Sequence, residues 1–71
     1  MGRHEVEEKI VELAHEFTSK FGEEVLKLRV DELIAYIAPQ FDYENWLIFK
    51  HNEYQMLALF IKTVKEDLSK S

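Results

Sequence analysis

The chain has 71 residues, of which 46% are hydrophobic and 32% charged, which is enough for one small domain and too few for two. Nine basic and fourteen acidic residues give a net charge of -5 at pH 7, which opposes the electrostatic attraction that dominates nucleic-acid binding. The absence of cysteine excludes disulfides and thiolate metal sites, so apolar burial or association must supply the stability. With neither a signal-peptide pattern nor a membrane-length apolar run, we expect a single cytoplasmic domain over residues 1–71, with no membrane partner.

The first predicted element is an amphipathic helix over residues 4–20. Acidic residues in its first turns and Lys20 near its end match the order that the helix dipole favours. Gly22 then offers a backbone conformation that ends helices. Its apolar residues recur at helical spacing and share one face: Val6, Ile10, Leu13, Ala14, Phe17 and Phe21.

The second predicted helix covers residues 23–38 and ends before Pro39. A competing pattern runs from Leu26 to Asp31, where apolar and charged residues alternate as in a short strand near residues 26–30. We favour the helix because its apolar face continues across Asp31 through Leu33 and Ile37.

Two further helices are predicted over residues 42–50 and 53–69, with Asp42 as an N-cap. A single helix is disfavoured because Lys50 and Glu53 would then point into the middle of its apolar arc. Asn52 with Gln55 resembles a capping box, which places a turn between the two. The apolar run at residues 46–49 also fits a short buried strand. The sequence thus predicts an all-α bundle of three to four helices, with an α+β fold as the alternative.

Two binding hypotheses start from particular side chains. Glu12 and His15 have the Glu-x-x-His spacing of metal-binding helical bundles, but they lie on the polar side of the first helix, which favours a solvated face. The lysines of the last third suit a helix-turn-helix DNA-binding regulator in number, yet lysines near a helix C-terminus are expected from the dipole alone. We expect neither a metal site nor nucleic-acid binding.

The chain offers little to catalysis. It has few hydroxyl side chains, and none lies in a strained turn of the kind that presents a nucleophile. Two glycines, Gly2 and Gly22, make no phosphate-binding loop. We therefore expect no enzymatic activity and no cofactor.

Apolar and aromatic residues are more numerous than four short helices need for a core, and tyrosine, tryptophan and methionine are enriched at interfaces. The sequence therefore predicts a small acidic protein-interaction module, a homodimer held by an aromatic-rich surface. Acidic residues at Glu23, Glu24, Asp31 and Glu32 would suit a basic protein partner. The predicted interface residues are Tyr36, Trp46, Ile48, Phe49, Met56 and Leu59.

Overall fold

The computed structural model describes residues 2–70, and Met1 and Ser71 lie outside the described residues. Within residues 2–70 the fold is all-α, as predicted, and contains no strand. The strand alternatives near residues 26–30 and 46–49 are therefore not supported. The four α-helices are α1 (Arg3–Phe21), α2 (Val30–Ile37), α3 (Tyr43–His51) and α4 (Glu53–Lys70), and two short 3-10 helices span Gly22–Lys27 and Ala38–Gln40.

Helix α1 follows the prediction closely. Its buried residues are five of the six on the predicted apolar face, and only Phe21 remains 45% exposed. The helix ends at Phe21 because Gly22 takes a positive φ of 58°, a region that residues with a Cβ rarely adopt. The N–H of Gly22 donates to the carbonyl of Thr18, which satisfies one of the last carbonyls of the helix.

The predicted continuous helix over residues 23–38 is wrong. The chain forms a 3-10 helix over Gly22–Lys27, is extended at Leu28 and Arg29, and enters α2 only at Val30. The Glu32 carboxylate accepts a hydrogen bond from the backbone N–H of Arg29 at 2.9 Å and so fixes the start of α2. The alternation of apolar and charged residues from Leu26 to Asp31 coincides with this break between the two helices, although we interpreted it as a pattern typical of a strand.

The third and fourth helices are confirmed, and they meet at one residue. Asp42 caps α3, since its carboxylate accepts a hydrogen bond from the N–H of Asn45 at 2.9 Å. The predicted capping box at Asn52 does not form. The Asn52 amide instead donates to the carbonyl of Ile48 at 2.9 Å, which ends α3, while the Gln55 side chain accepts from Arg3.

Helices α1 and α4 lie side by side and run in the same direction. Arg3 at the start of α1 donates to Gln55 at the start of α4, and His15 contacts Asp67 twelve residues further along each helix. Because the two helices are parallel, residues 22–52 must return the chain to its starting end. The core lies between this pair and the returning segment, and its buried apolar residues are Val6, Ile10, Leu13, Ala14, Phe17, Val25, Leu33, Ile37, Phe49, Met56, Phe60 and Val64.

None of the helices within residues 2–70 is both long enough and apolar enough to span a bilayer.

Candidate protein-interaction surface

Two of the predicted interface residues lie in the core of the single chain. Phe49 is 0% exposed and Met56 is 1% exposed, so neither side chain is free to contact another molecule. The Phe49 ring stacks on Trp46, with centroids 5.1 Å apart and an interplanar angle of 9°, and it also contacts Phe41. This placement corrects the prediction for Phe49 and Met56, because both side chains belong to the core of the single chain.

The other four predicted residues do not converge on one surface. Trp46, Ile48 and Leu59 are partly buried against the core, and the Lys50 ammonium lies 5.7 Å from the Trp46 ring centroid. Tyr36 is 50% exposed and meets Phe17 edge-on at 6.0 Å. Leu59 and Tyr36 line two different depressions of the surface. Of the six predicted residues, two are therefore core residues, and the other four are partly or half exposed.

An open groove of about 780 Å³ lies along the outer side of α4, and we call it the α4 groove. Val30, at the start of α2, lies on its wall and is 55% exposed. Tyr54, at its N-terminal end, is 89% exposed. The residues that line the α4 groove are Val30, Glu53, Tyr54, Leu57, Ala58, Ile61, Lys62, Lys65, Glu66 and Ser69.

Helix α4 is apolar on two sides, and this explains the groove. Met56, Phe60 and Val64 recur at four-residue spacing and are buried against the rest of the chain. Leu57 and Ile61 follow them by one residue, so they lie about 100° further around the helix, where they are only partly buried. Their spacing with Tyr54 and Ala58 was the available signal for a second apolar side.

The charges around the α4 groove have both signs. Lys62 and Lys65 line its C-terminal half, and neither forms an ion pair with another of the described residues. Glu53 lies at the other end and pairs with Lys50 of α3, which leaves little of its charge free. Glu66 lies beside Lys65 on the rim. The groove is thus an apolar strip whose free cations lie toward one end.

The Glu12 and His15 pair does not form a metal site. Glu12 is held by Lys9 at 3.5 Å, and His15 contacts Asp67 of α4 through Nδ1. Within residues 2–70 no three histidine, aspartate or glutamate side chains are grouped so that they could hold a metal ion. The contact between His15 and Asp67 instead joins the two parallel helices.

Three of the four acidic residues proposed for a basic partner are exposed and lie near a cation. Glu24 lies 3.7 Å from the Lys27 ammonium. Arg29 lies 3.6 Å from Asp31 and 3.9 Å from Glu32. Because each of these three carboxylates has a cation close by, the surface around α2 offers a weaker negative field than the sequence indicated.

The helix-turn-helix hypothesis gains no support from the α3–α4 connection. A motif of that type has a turn of three to four residues between its helices, whereas Asn52 alone separates α3 from α4. Lys62 and Lys65 share their surface with Glu66 and with apolar side chains rather than with further cations.

The structure thus defines a small all-α domain with two parallel long helices and an open apolar groove on one of them. Comparisons with protein-family models, with curated proteins and with solved structures give no match for this chain.

Proposed function

We propose that the protein is a small protein-interaction module that self-associates as a homodimer through the α4 groove. The observation that carries this proposal is the second apolar side of α4, where Tyr54, Leu57, Ala58 and Ile61 line one continuous open groove. Contiguous exposed apolar surface of this kind is typical of protein interfaces. A side chain as exposed as Tyr54 supplies apolar area and a hydroxyl to a partner, which is why tyrosine is enriched at interfaces.

A protein partner suits the groove better than a nucleic acid or a metal ion. In a complex with nucleic acid the apolar strip would face charged phosphates, which is unfavourable. The net charge of -5 also opposes the approach of a polyanion. Another helix, by contrast, would cover the strip with its own apolar residues. The proposal includes no catalytic step.

A second copy of the chain is the partner whose groove matches by construction, because a two-fold axis brings identical surfaces together. One helix from each copy buries less surface than a standard interface, so the dimer falls in the weak class, and we expect a dissociation constant on the order of micromolar or weaker. A helix partner from another protein would compete for the same residues.

The test is sedimentation equilibrium of the full chain from about 5 µM to about 1 mM, the range that a weak interface requires. The variant Ala58→Glu places a charge in the middle of the groove. Ala58 is exposed, so the fold is not disturbed. The matched control is Ala35→Glu, which makes the same change at an exposed helical position outside the groove.

We expect wild-type protein and Ala35→Glu to reach the dimer mass with the same dissociation constant, and Ala58→Glu to stay monomeric. A wild-type chain that is monomeric at every concentration would contradict self-association. A dimer that Ala58→Glu leaves intact would contradict the choice of surface.

A further inference from the structure

We infer that the two α4 helices of the dimer lie antiparallel, with Ala58 facing Ile61 of the partner subunit and Tyr54 facing Lys65 of the partner subunit. This inference rests on the proposed function, since it assigns the orientation of the partner in the α4 groove. The evidence is the spacing, size and charge of the four residues along the floor of the groove.

The first observation is the spacing of four residues along α4. Tyr54, Ala58, Ile61 and Lys65 follow one another at intervals of four, three and four residues, all within α4, and all line the groove. This is the spacing that keeps residues on one seam between two helices. The midpoint between Ala58 and Ile61 is also the midpoint between Tyr54 and Lys65. When a two-fold axis passes through that point, Ala58 faces Ile61 of the partner subunit and Tyr54 faces Lys65 of the partner subunit. Each of these two contacts occurs twice in the dimer.

The sizes of the two central residues match in the antiparallel arrangement. Ala58, the smallest side chain on the seam, meets Ile61 of the partner subunit, so each contact joins one small and one large side chain. In a parallel arrangement Ala58 would face Ala58 of the partner subunit and leave a gap, while the two isoleucines would hold the helices apart. Interfaces pack best when small and large residues alternate across them.

The charges along the seam also favour the antiparallel arrangement. A parallel arrangement would bring Lys65 against Lys65 of the partner subunit, and neither lysine has an ion-pair partner among the described residues to offset the repulsion. The antiparallel arrangement moves the two ammonium groups to opposite ends of the seam. Each lysine then lies along the exposed ring of Tyr54 of the partner subunit, where a cation is attracted to the aromatic face.

Spin labelling separates the two orientations, and the cysteine-free chain allows a single label without background. Ser69→Cys carries the label at an exposed position at the C-terminal end of the groove. At 1.5 Å per residue, the antiparallel register places the two labelled positions about 28 Å apart along the helix axis. The parallel arrangement places them at the same level, about 10 Å apart across two packed helices.

The measurement is double electron–electron resonance on the labelled full chain, at a concentration where its mass is that of the dimer. A distance distribution centred near 30 Å is the expected result, and a dominant short distance or strong dipolar broadening would overturn the antiparallel register. Sedimentation equilibrium of the unlabelled wild-type chain tests association separately. A wild-type monomer therefore counts against the proposed function, whereas a labelled dimer with a short distance counts against the orientation alone. The labelled Ala58→Glu variant is the control for uncoupled spins.

The contact between Lys65 and Tyr54 of the partner subunit has its own test. Tyr54→Phe keeps an aromatic face and should change the dissociation constant less than threefold, whereas Tyr54→Leu removes that face and should weaken the dimer about five- to thirtyfold, since two such contacts are lost. Equal dissociation constants for the two variants would show that the ring meets no cation and would overturn this pairing.

Discussion

The two apolar sides of α4 differ little in composition and greatly in exposure. On the inner side Met56, Phe60 and Val64 are almost completely removed from solvent, while on the outer side Tyr54 is 89% exposed. On both sides the apolar residues recur at helical spacing, so the hydrophobic pattern alone does not distinguish the buried side from the exposed side. The difference teaches that burial depends on what the rest of the chain places opposite each side.

Opposite the inner side lies a matching set of side chains. The ring of Phe17 in α1 meets Phe60 edge-on, with centroids 5.6 Å apart and an interplanar angle of 83°. Aromatic pairs in this geometry are favourable beyond the area they bury. Among residues 2–70, Val30 is the only residue outside α4 that lines the groove on the outer side. The inner side of α4 therefore stabilises the fold, and the outer side is the surface that we propose for association.

The largest effect is expected on the inner side, from Phe60→Ala. Removing a fully buried phenyl ring costs about 3–5 kcal/mol, and a core of this size rarely supplies more than ~3–5 kcal/mol in total. We expect most of the helical circular dichroism to be lost at 25 °C without denaturant. The control is Phe21→Ala at the exposed end of α1, which should remain folded. Equal losses for the two variants would contradict the assignment of Phe60 to the core.

Most of the helical content was predictable from local signals. Helix α1 has a regular apolar face and a glycine stop, and Asp42 is a strong N-cap, so both were located to within a few residues. The interruption at Leu28 and Arg29 was not predicted. Its cause is the tight 3-10 turn after Gly22, which shifts the following residues around the helix axis and buries Val25.

The candidate surface was harder to predict than the helices. The sequence indicated a surplus of apolar residues, and the α4 groove agrees with that surplus. Two of the six residues that it named are core residues, because the choice followed residue type: Phe49 and Met56 were selected as an aromatic and a methionine, and both are buried. Exposure of Tyr54 and Ala58 depends on the parallel packing of α1 on α4, which is set by contacts distant in sequence.

An intermediate effect is expected from Leu57→Ala, at the boundary between the two sides. Leu57 is partly buried and packs against the core from the groove wall, so its truncation should cost about 1–2 kcal/mol, less than a fully buried leucine. Urea denaturation at low protein concentration measures this loss. A loss as large as that of Phe60→Ala would mean that Leu57 belongs to the inner side.

A small gain is expected from Thr63→Val on the inner side. Thr63 is buried, and its hydroxyl donates to the carbonyl of Leu59 in the same helix at 2.9 Å. Valine has nearly the same shape and places a methyl group in the core, so we expect stability to rise by up to about 1 kcal/mol. Thr18→Val is the matched control, since Thr18 donates to Ala14 in the same way but is less buried. A clear loss of stability for Thr63→Val alone would show that its hydroxyl has a second role.

The smallest effect on the folded monomer is expected from Tyr54→Ala, and it separates the two sides of α4 most sharply. Because the Tyr54 side chain is almost fully exposed, we expect less than about 0.5 kcal/mol of change in dilute solution. At high concentration the wild-type dimer adds binding energy to folding, so its thermal midpoint should rise with concentration, whereas that of Tyr54→Ala should rise much less.

The control for Tyr54→Ala is Tyr43→Ala on α3, where the tyrosine is also largely exposed, at 75%, but lies outside the α4 groove. Its midpoint should follow the wild-type dependence on concentration. If Tyr43→Ala and Tyr54→Ala abolished the concentration dependence of the thermal midpoint equally, association would depend on exposed tyrosines in general and not on the α4 groove. A loss confined to Tyr54→Ala ties association to the outer side of α4, because the inner side and the fold are the same in both variants.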